Sequence, residues 1–274
     1  DAEVGRPGRF ASRGPQADIR EFIEHRRRQL ELIAGQLRSR GISVRTSVRW
    51  DHPVHEGIVR QVLRHEPDLL IAGATERGHT GLLLTRTDFK LIETCPCPVL
   101  FMKSRTPYAD VVIAAAVDPE LAHGKPAELD LEILDCAGRL RDALSGSLLM
   151  FHARDTQAHP GHAALLEPGA DSALFTLAQR YDIPRRRVHA LGGHPAQALA
   201  RLARQQVADI VVMGAVERSR LQRALIGHTA ERLIDALACD VLVVKPRRCS
   251  PRDAALIPMV RVGKRRRFSG RLGG

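Results

Sequence analysis

Two glycines and the polar residues between them form the stretch of this sequence best suited to hold an anion. Gly214 ends the apolar run Ile210-Val211-Val212-Met213, and Gly227 opens an amphipathic run after a loop that carries Glu217, Arg218 and Arg220. His228 and Thr229 follow directly. The pattern reads as a strand, a loop leaving its carboxyl end, and a helix N-terminus, where free backbone N–H groups and the helix dipole favour phosphate. Glycine is used where φ must be positive or where phosphate must touch the backbone. Arg218, His228 and Thr229 could donate as well. Glu217 works against them by like-charge repulsion.

A second candidate is Asp118, which ends the run Val111-Val112-Ile113-Ala114-Ala115-Ala116-Val117. It sits at the carboxyl edge of a strand, where open α/β sheets bind ligands. A carboxylate there can accept from a ligand N–H, although Asp followed by Pro119 equally suits a turn or a helix cap. His159 and His162, with His152 near, have the three-residue spacing that lets imidazoles converge on a metal. No further ligand of matching spacing accompanies them, so a solvated loop from about His152 to Gly169 is expected, and no metal. Cys95-Pro96-Cys97 is not a C-x-x-C redox motif and reads as buried structural thiols. No Ser-His-Asp or Cys-His signature and no G-x-x-x-x-G-K-[ST] appears, so no catalytic residue is assigned.

Alternating helical and strand patterns must position these residues. Helices are expected at 18–40, 55–65, 87–94, 128–144, 170–181 and 195–206, and from Gly227 onward. Strands are expected at 42–48, 68–72, 99–102, 110–117, 147–151, 188–191, 209–214 and 240–245. Leu30, Ile33, Ala34 and Leu37 line one face of the first helix, and Leu131, Leu134, Ala137, Leu140 and Leu144 line one stripe of the fourth. Strands alternating with helices argue for right-handed crossovers and a parallel sheet.

The chain also repeats itself. Pro67-Asp68-Leu69-Leu70-Ile71-Ala72-Gly73 matches Ala208 to Gly214, and Glu76-Arg77 matches Glu217-Arg218, at an offset of 141 residues. Cys97-Pro98-Val99-Leu100-Phe101-Met102-Lys103 matches Cys239-Asp240-Val241-Leu242-Val243-Val244-Lys245 at 142. So long a period denotes a duplicated domain, since solenoid units repeat every 20–50 residues or so.

With those residues aligned, the stretch 209–246 resembles the last third of a universal stress protein domain, whose nucleotide loop reads G-x2-G-x9-G-[ST]. The doubled arrangement resembles the tandem, UspE-type branch of that family. The resemblance covers roughly residues 24–246. It implies an α/β fold of two tandem domains of the adenine nucleotide alpha-hydrolase-like kind, with parallel sheets of strand order 3-2-1-4-5. It also implies that adenine meets Asp118 and that phosphates lie over Gly214, Arg218, Gly227, His228 and Thr229, as ATP with Mg2+. Glu217 and His228 stand where the family has its second glycine and its Ser or Thr, so binding is expected to be weak, or the loop to be a relic. The first copy keeps Gly73 but has Glu76 and Thr85-Arg86-Thr87 at the matched places, and no nucleotide is expected there. It also lacks the family's first two strands, and truncation upstream is the expectation. The last strands, 98–103 and 240–245, are expected to pair antiparallel within the chain.

Composition sets the bounds. The 274 residues are 44% hydrophobic and only 4% aromatic, enough for two cores built from Leu, Val, Ile and Ala. The expected division is a partial first domain at 18–105, a complete second at 108–247, and disordered tails at 1–17 and 248–274. No signal pattern or run of about 18 apolar residues appears. Five scattered cysteines suit a reducing cytoplasm. The net charge of +11 is mostly a tail property: from Arg247 onward nine Arg or Lys stand against one Asp. That tail could contact nucleic acid through Lys264 to Arg267, with Phe268 the one aromatic beside them. The resemblance implies a stress-response module that senses a nucleotide or binds partners; a weak ATPase and a nucleic-acid-associated protein are the alternatives.

Overall fold

The computed structural model describes residues 15–73, 75–76, 82–104, 106–119, 128–154, 168–215 and 234–246. Most of both expected tails, the histidines at 159 and 162, and residues 216–233, with the expected loop and helix there, lie outside the described residues. In chain order the elements are α1 (Pro15–Arg38), α2 (Val54–His65), β1 (Leu70–Gly73), β2 (Thr75–Glu76), β3 (Leu82–Leu83), α3 (Arg86–Thr94), β4 (Val99–Met102), β5 (Val112–Ala116), α4 (Glu128–Ala143), β6 (Ser147–Arg154), α5 (Pro168–Arg180), β7 (Val188–Gly192), α6 (Pro195–Gln205), β8 (Ile210–Gly214) and β9 (Asp240–Val244).

One seven-stranded sheet carries both copies, in the order β1-β4-β9-β8-β5-β6-β7. The second copy supplies β7-β6-β5-β8-β9, which is third, second, first, fourth and fifth in its own sequence. All four of its neighbouring pairs are parallel. The first copy supplies β1 and β4, also parallel. The seam between copies is antiparallel, with Val99 opposite Val243, Leu100 opposite Leu242 and Phe101 opposite Val241.

Residues alternate between two layers because successive strand side chains point to opposite faces. Val99, Phe101, Val211, Val241 and Val243 face α2, α3 and α6. Leu100, Ile113, Ala115, Ile210, Val212 and Leu242 face α4 and α5. Strands β8 and β9 are covered on both faces, which explains why they read as unbroken β-branched runs rather than alternating ones.

Two lysines tie the copies together in matched fashion. Lys103, just past β4, donates through Nζ to the carbonyls of Ile234 and Leu237, both at 2.6 Å. Lys245, just past β9, donates to the carbonyls of Glu93 and Cys95 at 2.8 and 2.9 Å. Each copy's last strand thus ends in a cation that caps the helix end of the other, where orphan carbonyls and the dipole favour positive charge.

Several expectations change. Residues 42–48 form no strand: they run extended beside α1, held by Arg38, which donates to the Val44 carbonyl at 3.0 and 2.9 Å, and by Thr46 bonding to Glu31. A strand needs a neighbour, and among the described residues the first copy offers none on that side. For the same reason the stripe of α1 is poorly covered, with Ala34 buried but Ile33 54% exposed. Helix α1 also begins at Pro15, where a proline at the first helical position costs nothing, so the expected N-terminal tail does not extend to residue 17. On α4 Leu134 and Ala137 are buried and Leu140 packs against the core, as the expected stripe has it, but Leu129, Asp130 and Ile133 complete the buried face while Leu144 is 37% exposed. The loop expected to open near His152 begins later, because β6 continues to Arg154 paired with β7. A short hairpin, β2 with β3, interrupts the expected loop of the first copy.

Candidate functional site

Strand β5 sits where the chain changes direction across the sheet. From it the chain crosses to β6 and β7 on one side and returns to β8 and β9 on the other. The crevice outside the carboxyl ends at such a reversal is where open α/β sheets take ligands. Small side chains at Ala114 and Ala115, both fully buried, let helices pack close on either face. Asp118 stands two residues beyond the end of β5.

Two neighbours set the surroundings of Asp118. Its backbone N–H donates to the carboxylate of Asp130, at 3.0 Å to Oδ1 and 3.3 Å to Oδ2. Asp130 lies in the first turn of α4 and is 3% exposed, and an acid there is favoured by the helix dipole. The His152 ring, buried in β6, places Nδ1 3.1 Å from the Val117 carbonyl and 3.9 Å from Asp118 Oδ1. A carbonyl only accepts, so Nδ1 carries the proton. Both carboxylate oxygens of Asp118 are buried, and neither has a hydrogen-bond partner among the described residues. Leaving buried acceptors unmade is costly, and an N–H donor brought by a ligand would relieve that cost.

Gly214 closes β8, and the next residue, Ala215, donates its N–H to the Val244 carbonyl at 2.8 Å. A Cβ on Gly214 would meet Leu129 Cδ2 at 2.6 Å and Ile133 Cδ1 at 3.1 Å. The glycine is therefore explained by the close approach of α4, without appeal to phosphate. Leu129 and Asp130 are consecutive residues of one helical turn, and they touch Gly214 and Asp118 respectively. That turn of α4 brings the two sequence-predicted residues to a common edge. Arg218, Gly227, His228 and Thr229, like Glu217, lie outside the described residues.

In the first copy the matched places are spent differently. Gly73 ends β1 and is exposed. Thr85 caps α3 in a reciprocal box with Asp88: the Asp88 carboxylate accepts from the Thr85 N–H at 2.6 Å and the Thr85 hydroxyl accepts from the Asp88 N–H at 3.3 Å. The helix N-terminus of α3, which matches in sequence the one expected at Gly227, is thus already faced by the protein's own carboxylate.

Asp130 and His152 were not assigned from sequence to this site. The signal for Asp130 was an acid at the third position of an expected helix. For His152 it was a polar residue extending an apolar strand. Among the described residues no group of three or more His, Cys, Asp and Glu side chains gathers to hold a metal, and no helix is long and apolar enough to cross a membrane.

The comparisons with known proteins follow the same outline. Residues 7–103 and 112–245 match the model of the universal stress protein family. Universal stress protein E of Photorhabdus laumondii is 26% identical over 222 residues, spanning 75% of this chain and 70% of that protein. Universal stress protein E of Escherichia coli K12 is 25% identical over 233 residues, covering 75% and 69%. A Pseudomonas aeruginosa UCBPP-PA14 structure described as a universal stress protein superposes with a TM-score of 0.70 and 29% identity, over 80% of this chain and 78% of that one. Matched in both halves and folded with the strand order of the second copy intact, the chain belongs to the universal stress protein family, in a tandem arrangement similar to universal stress protein E.

Proposed function

We propose that the second copy binds an adenine nucleotide weakly, as ATP with Mg2+, and that the protein is a cytoplasmic stress-response module that senses this nucleotide or binds partners. The carrying observation is the pair of buried Asp118 carboxylate oxygens without hydrogen-bond partners among the described residues, at the reversal point of the sheet. An adenine N–H donor satisfies those acceptors. Phosphates would then lie toward Gly214 and the helix start that the sequence leads one to expect at Gly227, with Arg218, His228 and Thr229 as donors. Glu217 lowers affinity there by repulsion. The cysteines at 95, 97, 136 and 239 are all free thiols, in keeping with a reducing compartment. Adenine binding requires no catalytic base, and none is assigned.

Titration calorimetry with ATP and magnesium tests the reading. Asp118→Ala should weaken binding by about 1.5–3 kcal/mol, the loss for one hydrogen bond to a charged acceptor. Glu217→Gly should tighten it by about 1–2 kcal/mol, as one partly screened repulsion is removed. Unchanged affinity in Asp118→Ala would overturn the reading.

A further inference from the structure

Among the described residues the seven-stranded sheet ends at β1 in an open edge. The Leu70 N–H donates to the Pro98 carbonyl at 3.0 Å, so the hydrogen-bonding groups of Leu70 and Ala72 face β4. Those of Leu69, Ile71 and Gly73 point away from it, since a parallel ladder uses alternate residues of a strand. On one face α2 supplies Ile58, Val59 and Val62, clustered with Leu70 and Ala72, and beside them Leu63, 61% exposed. The second copy shows how the equivalent place is filled. There β8, the counterpart of β1, takes β5 as its parallel neighbour. Asp209 holds the start of β5: its carboxylate accepts from the Val112 N–H at 2.8 Å, and its own N–H donates to the Val112 carbonyl at 2.8 Å. The matched residue in the first copy is Asp68, exposed and just ahead of β1.

We propose that this edge is the docking site of the chain's own C-terminal segment, with Ala255-Leu256-Ile257-Pro258-Met259-Val260 added to β1 as a parallel strand whose start is held by Asp68. Val243 is level with Val99, and Val99 with Leu70, so the chain leaves β9 at the end of the sheet where β1 begins. The open position lies three strand spacings from β9, about 14 Å, and the connecting residues 247–254 reach about 26 Å when extended. A segment arriving there and running along the edge goes parallel to β1. The side-chain pattern suits the place. With Ala255 on Asp68 as Val112 is on Asp209, Ala255, Ile257 and Met259 turn their N–H groups toward β1. Pro258, which has no N–H, falls on an outward position, where an edge strand tolerates it. Ile257 and Met259 then lie on the α2 face, as Ala114 lies on the α6 face in the second copy, and Leu256, Pro258 and Val260 lie on the face of Ile71.

Charge favours the same occupant, because the connection carries Arg247, Arg248 and Arg252 past the exposed Glu66 and Asp68. A second copy of the chain fits less well. Two β1 strands related by a two-fold axis pair antiparallel, which sets each Asp68 against the far end of the partner strand instead of a strand start. Docking also delivers the basic run Lys264 to Arg267 beyond the carboxyl end of β1, and so decides where that cluster is displayed.

The experiment follows hydrogen exchange of the Ile71 amide by NMR in the full chain, with the Val212 amide of β8 as reference. Ile257→Asp/Met259→Asp puts two charges under α2 and should speed exchange at Ile71 at least about tenfold while Val212 is unchanged. Asp68→Ala should act in the same direction, and Pro258→Ala, at an outward position, should stay within about twofold of the parent. The proposal is overturned if Ile71 exchanges equally fast in the parent and in Ile257→Asp/Met259→Asp. It is overturned as well if protection of Ile71 rises with protein concentration, which would assign the edge to a second copy.

Discussion

Strands β1 and β8 descend from one sequence pattern and live in different surroundings. Val212 on β8 is fully buried under α4, while its counterpart Ile71 on β1 is 60% exposed. Strand β8 is flanked on both sides by parallel neighbours. Strand β1 pairs with β4 alone, and no helix corresponding to α4 covers its far face among the described residues. A run of apolar β-branched residues therefore specifies a strand, but its burial is decided by what else the chain supplies. The site follows the same logic. Asp118 has its precise setting because β5, β6 and α4 all exist in the second copy, and the first copy has no counterpart to them among the described residues.

The largest break in this comparison should come from Asp240, whose matched residue is Pro98. Its carboxylate is fully buried and accepts from the Lys103 N–H at 2.5 Å, the Ser104 N–H at 2.7 Å and the Tyr108 hydroxyl. These bonds pin the segment joining the copies to the second copy, and burial with Asp240 nearby raises the Tyr108 pKa. Asp240→Ala orphans three donors at once and should cost about 3–5 kcal/mol in urea unfolding. A loss below about 1 kcal/mol would mean the segment is held by other contacts.

Next come the two capping lysines. Lys103 is 5% exposed and Lys245 is only half-buried. Lys103→Met should lower stability by about 2–3 kcal/mol and Lys245→Met by about 1 kcal/mol, since the better-buried charge-assisted bonds are worth more. Equal effects would show that the pseudo-symmetry of the two caps extends to their energetics.

The strand pair itself gives a sharper ratio. Val212→Ala should cost about 2 kcal/mol, the transfer term plus a cavity under α4. Ile71→Ala removes more atoms yet should cost less than about 1 kcal/mol, because most of that side chain already faces solvent. Thermal melts of the two variants check the order, and a reversal would mean that Ile71 is covered in solution.

The last comparison concerns the matched glycines. Gly214→Ala drives a methyl group into Leu129 and should cost about 1–3 kcal/mol, as overpacking does. Gly73→Ala, at an exposed position, should stay within about 0.5 kcal/mol. Parallel ATP titrations separate packing from binding: loss of stability in Gly214→Ala without loss of affinity would leave the glycine with a purely structural role.

By itself the sequence determined the duplication, the strand and helix types of most elements, and the acid at the end of β5. Those depend on local period and on the repeat of Asp68 to Gly73 at Asp209 to Gly214, which any fold must accommodate. It missed where the pattern has no local signature. Residues 42–48 alternate as a strand does, yet pairing needs a neighbour, and a neighbour is a property of the whole sheet. The burial of α1 and the ends of the α4 stripe differ for the same reason, since a helix face is chosen by what lies beneath it. Only the tertiary structure decided that Leu129 explains Gly214, that Asp130 and His152 surround Asp118, and that Lys103 and Lys245 cap helix ends 131 to 152 residues away. Each of those contacts joins residues far apart in sequence, and nothing in local spacing encodes which strand ends will meet which helix ends.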